Sequence, residues 1–124
     1  MPRILVIDDQ ADVRAMICMV LRVNHFEVVD AASAAAGLKA FEISEFDLAI
    51  VDIILDEANG FDVIRTMRDR VPRLPIVAIS GMTAPELVTA SSDAGSVICL
   101  QKPFRPGELL RAIEAAQRIA AAAG

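Results

Sequence analysis

Short apolar runs alternate along the chain with longer stretches in which apolar residues return every three or four positions. The short runs lie at about 3–8, 26–31, 47–52, 75–80 and 96–101. Their length suits strands, and the third (Leu48-Ala49-Ile50-Val51) and fourth (Ile76-Val77-Ala78-Ile79) are nearly all apolar, as central parallel strands covered on both faces require. Between the runs, Val13, Met16, Ile17, Val20 and Leu21 mark one face of a first helix. A second helix, about 34–43, is alanine-rich and carries Leu38 and Phe41. A third, about 59–70, sets Phe61, Ile64 and Met67 opposite Arg65, Arg68 and Asp69. A fourth segment, about 84–93, opens at Pro85 but holds Thr89, Ser91, Ser92 and Asp93, all poor helix formers. The fifth starts at Pro106 with Glu108 in its first turn and runs through Leu109, Leu110, Ile113 and Ile119 to an alanine-rich, fraying end. Asn24-His25 reads as the turn closing the first helix, one of the pair taking the left-handed conformation that both residues tolerate.

Five strand–helix units joined by right-handed crossovers predict an α/β fold, a three-layer (βα)5 sandwich around a parallel five-stranded sheet. No linker, repeat or composition break divides the 124 residues, so a single domain over 1–124 is expected. The 55% hydrophobic content supports a real core and excludes disorder. No apolar stretch approaches the ~20 residues needed to span a bilayer, and the amino terminus enters a strand without the features of a signal peptide. A cytoplasmic location is therefore expected. The net charge of −5 argues against a nucleic-acid partner, and Arg105, Arg111 and Arg118 read as a solvated helix face. Cys18 and Cys99 lie in apolar runs without a CxxC pattern and read as small buried hydrophobes.

The ends of the strand runs carry the chemistry. Asp8 and Asp9 close the first run, Asp52 the third, Ser80 the fourth, and Lys102 follows the fifth. In an open parallel sheet, ligands bind at the carboxyl ends of the strands. One pocket then collects three carboxylates, a hydroxyl and an ammonium. Carboxylates brought together repel one another, and a divalent cation removes that cost. Magnesium takes one or two carboxylates, keeps waters and accepts phosphate oxygens, so the set points to Mg2+ beside an incoming phosphoryl group. Asp52, between the paired acids and the lysine, is the candidate nucleophile, forming an aspartyl phosphate. Lys102 and the metal would neutralise the phosphoryl oxygens, and Ser80 would donate a hydrogen bond.

These residues resemble the receiver domain of bacterial two-component response regulators, over nearly the whole chain. The matching stretches are Ile4-Leu-Val-Ile-Asp-Asp9, Phe46-Asp-Leu-Ala-Ile-Val-Asp52, Gly60, Pro75-Ile-Val-Ala-Ile-Ser80-Gly81 and Lys102-Pro103-Phe104. The resemblance implies a flavodoxin-like sheet of order 2-1-3-4-5. It implies Asp52 as phosphoacceptor; Asp9, Asp8, Asp52 and the backbone carbonyl of Ile54 as magnesium ligands; Ser80 as the switch hydroxyl; and a cis Lys102–Pro103 bond. It also implies a histidine kinase or phosphotransferase as donor and a downstream protein as target. The responding surface would be the fourth helix, fifth strand and fifth helix, which could also support a homodimer.

Departures from the family pattern qualify this picture. The aromatic switch position is Cys99, and Asp56-Glu57 stand where a proline is common. Two positions that tune dephosphorylation hold Ile54 and Met82, neither able to orient a water, so slow loss of the phosphoryl group is expected. The alternative is a degenerate receiver that acts as an interaction or dimerisation module without phosphorylation. A phosphatase with an aspartate nucleophile would want a DxD arrangement on the first strand, and a dinucleotide site would want GxGxxG after it; neither is present. The end at residue 124 favours a stand-alone regulator over one with a DNA-binding output domain.

Overall fold

The computed structural model describes residues 1–55, 58–81 and 97–122. The chain runs β1 (Arg3–Ile7), α1 (Ala11–Val23), β2 (Glu27–Ala31), α2 (Ala34–Ile43), β3 (Leu48–Asp52), β4 (Ile54–Leu55), β5 (Ala58–Asn59), α3 (Gly60–Arg70), β6 (Ile76–Ser80), β7 (Ile98–Gln101) and α4 (Pro106–Ala122). Strands β2-β1-β3-β6-β7 form one sheet, all pairs parallel, and β4-β5 make a small antiparallel hairpin. Numbering the sheet strands in chain order gives 2-1-3-4-5, the flavodoxin-like order.

Alternation along each strand divides the core into two halves. Leu5, Ile7, Ala49, Val51, Ile76 and Ala78 face Phe41 of α2 and Ile64 and Met67 of α3. Ile4, Val6, Leu48, Ile50, Val77 and Ile79 face Ile17 and Leu21 of α1 and Leu109 and Ile113 of α4. Because β3 and β6 are buried along their whole length, each Leu, Ile and Val side chain there contributes about 1.5–3 kcal/mol of transfer free energy.

The helix ends follow local chemistry. Ser33 and Asn59 accept the N–H groups of Ala36 and Phe61 at 3.1 and 2.8 Å, opening α2 and α3. His25 takes φ 69° after α1, the left-handed conformation read from the Asn24-His25 pair. Arg105, Arg111 and Arg118 are exposed, as a solvated face.

One sequence expectation is corrected. Cys18 is buried, but Cys99 is exposed. It lies on β7, an edge strand where Leu100 turns to the core and Cys99 turns away. Along α4, Leu109 and Ile113 are buried, while Ile119 is 41% exposed. The helix expected over 84–93, together with Met82, Asp56 and Glu57, lies outside the described residues. Among the described residues no helix is long and apolar enough to cross a membrane.

Candidate functional site

The sheet order reverses between β1 and β3: the chain leaves β1 for β2 on one side and returns to β3 on the other. That switch point opens a crevice at the carboxyl ends of the two strands. Asp8 and Asp9 follow the last residue of β1, and Asp52 is the last residue of β3. One carboxylate oxygen from each of the three lies within 4.8 Å of the others. Asp8 is fully buried, Asp52 almost so and Asp9 half-buried, at the base of an open depression of about 400 Å³ lined by Asp9, Gln10, Asp52, Ile54, Gly81 and Lys102.

Backbone bonds hold the acids in place. Asp8 Oδ1 accepts the Gln10 N–H at 2.8 Å, and Asp52 Oδ1 accepts the Ile54 N–H at 3.0 Å, each a turn closed two residues onward. Arg14 of α1 donates to the Asp8 carbonyl at 2.8 Å while pairing with Asp30 at 2.9 Å, which ties α1 and the end of β2 to the acid turn. The Gly60 N–H donates to the Ile53 carbonyl at 2.8 Å, bringing the start of α3 under Asp52.

Lys102 reaches into this cluster from beyond β7. Its Nζ lies 2.9 Å from Asp52 Oδ2 and 3.1 Å from Asp8 Oδ2, and donates to Gln10 Oε1 at 2.6 Å. The Lys102–Pro103 peptide bond is cis. Ser80, buried at the end of β6, stands opposite Gln101 in the sheet, and its carbonyl accepts the Lys102 N–H at 2.7 Å. Ile54, two residues after Asp52, borders the depression with its side chain exposed. Cys99 lies three residues before Lys102, on the solvent side of β7.

Burial pushes the Asp52 carboxyl above its ordinary value; hydrogen bonds from Lys102 and Ile54 pull it back, Asp8 pushes it further, and the upward direction prevails. Burial alone would lower the Lys102 ammonium, but Asp52 and then Asp8 outweigh it and hold the lysine above its ordinary value. The site thus keeps a permanent cation yet leaves its acids short of positive charge. Asp8 Oδ2 shows the deficit directly. It is buried, and although the ammonium stands 3.1 Å away, the angle makes no hydrogen bond. A buried carboxylate oxygen without a well-aimed donor has a coulombic partner only. Such an oxygen, beside two further carboxylates, fits a hard divalent cation.

Gln10 is the member of the site that sequence reading missed. A glutamine at the residue before a helix is a poor N-cap compared with Ser, Thr, Asp or Asn. Its position directly after the acid pair was the available signal.

A family model described as the response regulator receiver domain matches residues 4–114. The chain belongs to that family. This receiver is 35% identical over 115 residues to a probable transcriptional regulatory protein of Picosynechococcus sp., covering 87% of this chain and 46% of the relative. It is 33% identical over 116 residues to the DNA-binding response regulator MtrA of Mycolicibacterium paratuberculosis, covering 94% and 51%. The receiver spans about half the length of the curated relatives it matches. Among solved structures, a CheY-like receiver domain protein of Methanospirillum hungatei superposes with a TM-score of 0.90 at 27% identity, covering 100% of this chain and 99% of that one. The chemotaxis protein CheY4 of Vibrio cholerae superposes with a TM-score of 0.88 at 27% identity, covering 94% and 98%. The chain is thus the receiver domain of a response regulator of two-component systems.

Proposed function

We propose that this receiver accepts a phosphoryl group on Asp52 from a phosphohistidine of a sensor kinase or histidine phosphotransferase. The observation that carries the reading is Lys102 Nζ, set between Asp52 and Asp8 at 2.9 and 3.1 Å, with Asp9 completing a three-carboxylate cluster. A nucleophile, a metal-binding set and a fixed cation meet at one point, which is most of what phosphoryl transfer requires of a protein.

In this mechanism an Asp52 carboxylate oxygen attacks phosphorus in line with the departing imidazole. The new O–P bond forms as the P–N bond breaks, and the electron pair stays on the leaving nitrogen, which takes up a proton. Lys102 donates to one phosphoryl oxygen and Ser80 to another. Asp8, Asp9, Asp52 and the Ile54 carbonyl would hold Mg2+, which when bound neutralises charge on the phosphoryl oxygens. The phosphorylated state then draws Ser80 inward and shifts an equilibrium of surfaces carried by β7 and α4, where a downstream protein or a second receiver docks. MtrA is named a DNA-binding response regulator, and this chain spans about half its length. For this chain, with a pI near 4.7, the proposal is confined to protein partners in a single domain over 1–124.

The test is intact mass spectrometry after incubation with acetyl phosphate and magnesium. One phosphoryl adduct, dependent on magnesium and absent from Asp52→Asn, is the expected result. A folded, magnesium-binding protein that takes no adduct would overturn the reading in favour of a phosphorylation-independent interaction module.

A further inference from the structure

The Lys102 ammonium has three N–H donors, and three oxygens surround it: Gln10 Oε1 at 2.6 Å, Asp52 Oδ2 at 2.9 Å and Asp8 Oδ2 at 3.1 Å. Two of the three are carboxylates, both buried; the third is a neutral amide on an exposed residue. Gln10 occupies the N-cap position of α1 with an extended backbone, φ −86° and ψ 110°, yet its side chain caps nothing. Its backbone is fixed independently. The N–H donates to Asp8 Oδ1 at 2.8 Å, and the carbonyl accepts from the Arg14 N–H at 2.9 Å. The side chain is therefore not needed to start the helix, and it borders both the depression over Asp52 and the neighbouring one beside Val13, Met16 and Phe104.

We propose that Gln10 gates Lys102: its amide oxygen occupies the ammonium donor that an incoming phosphoryl oxygen must take, and so sets how tightly the site binds its phosphodonor. The inference rests on the phosphoacceptor reading above. When a phosphodonor arrives, one of the three oxygens around Lys102, two hydrogen-bonded and one held by charge alone, has to yield. The bond to Asp52 is charge-assisted and roughly twice as strong as a neutral pairing, and Asp8, a coulombic partner only, is buried and has no access to water once released. Gln10 gives way most easily, because water replaces the lysine at its exposed amide. Lys102 is held by Asp52 and Asp8 in any case, so removal of Gln10 clears a competitor without setting the ammonium adrift.

Half-saturating acetyl phosphate concentration and maximal rate, read by intact mass in excess magnesium, test the gate in wild type, Gln10→Ala, Gln10→Met and Gln10→Glu. Loss of one exposed hydrogen bond lowers the half-saturating concentration by about fivefold in the Ala and Met variants, with the smaller effect on maximal rate. A carboxylate at the same place grips the ammonium harder, so Gln10→Glu raises the half-saturating concentration. Opposite directions for Ala and Glu, with Met following Ala, are what a merely structural role would not produce. Wild-type half-saturation in both Ala and Met, or a rise in all three variants, overturns the gate while phosphorylation of Asp52 stands. Absence of any adduct on the wild type would instead remove the phosphoacceptor reading and the gate with it.

Discussion

At Gly60 a hydrogen stands where a Cβ would lie 2.2 Å from the Asp52 carbonyl oxygen and 2.6 Å from Ile53 Cα. Both obstacles are backbone atoms, the first belonging to the strand that ends in Asp52, so neither can swing aside as a side chain would. Gly60→Ala should therefore fall at the upper end of the usual overpacking cost, about 3 kcal/mol, read as a lower urea midpoint with an unchanged slope. A midpoint within error of wild type would mean that α3 and β3 separate freely. The residues of the site differ in how visible they are in sequence. Asp8, Asp9, Asp52 and Lys102 each close an apolar run, and the strand ends converge, so their meeting could be read from pattern. Gln10 offered only its place after the acid pair, because its partner lies 92 positions away and its own position promises only a weak helix start. Cys99 misled for a different reason. An apolar run does not say whether its strand lies at the centre or the edge of a sheet, and only at the edge does every second side chain meet solvent.

Among the elements, α2 depends most on its first turn. Four of its ten residues are alanine, only Gly37 and Phe41 are fully buried, and Ser33 Oγ accepts the Ala36 N–H at 3.1 Å. Ser33→Ala should cost about 1 kcal/mol, seen as a fall in the urea midpoint, whereas Ser33→Asp should retain most of it. Equal stability of wild type and Ser33→Ala would show that packing of Phe41 against the sheet suffices to hold the helix. Helices α1, α2, α3 and α4 were legible because their apolar residues recur at the helical period over at least ten positions. The β4-β5 hairpin was not. Two residues per strand give no alternation to read, and Ile54 carries an apolar side chain outward at 59% exposure. Loop geometry beside a site is set by backbone pairing, which side-chain patterning records only in longer strands.

For the whole molecule, the candidate metal cluster joins the ends of two central strands, so the cluster exists only in the folded chain and a cation bound there favours that state. Binding to the native state alone adds RT ln(1 + [L]/Kd), about 2.7 kcal/mol at a hundredfold excess over Kd. Magnesium should raise the thermal midpoint of the wild type in a saturable way, and the rise should shrink in Asp9→Asn. A midpoint indifferent to magnesium would remove the cation from the site. The backbone bond from the Lys102 N–H to the Ser80 carbonyl, at 2.7 Å, bears on how such an event would travel. It fastens the backbones of Ser80 and Lys102, which carry the hydroxyl and the ammonium, to a common rung at the end of adjacent strands, as two teeth of one jaw. Teeth on one jaw close together or stay open together, so occupancy at Asp52 would leave the site as a step and not as a slope.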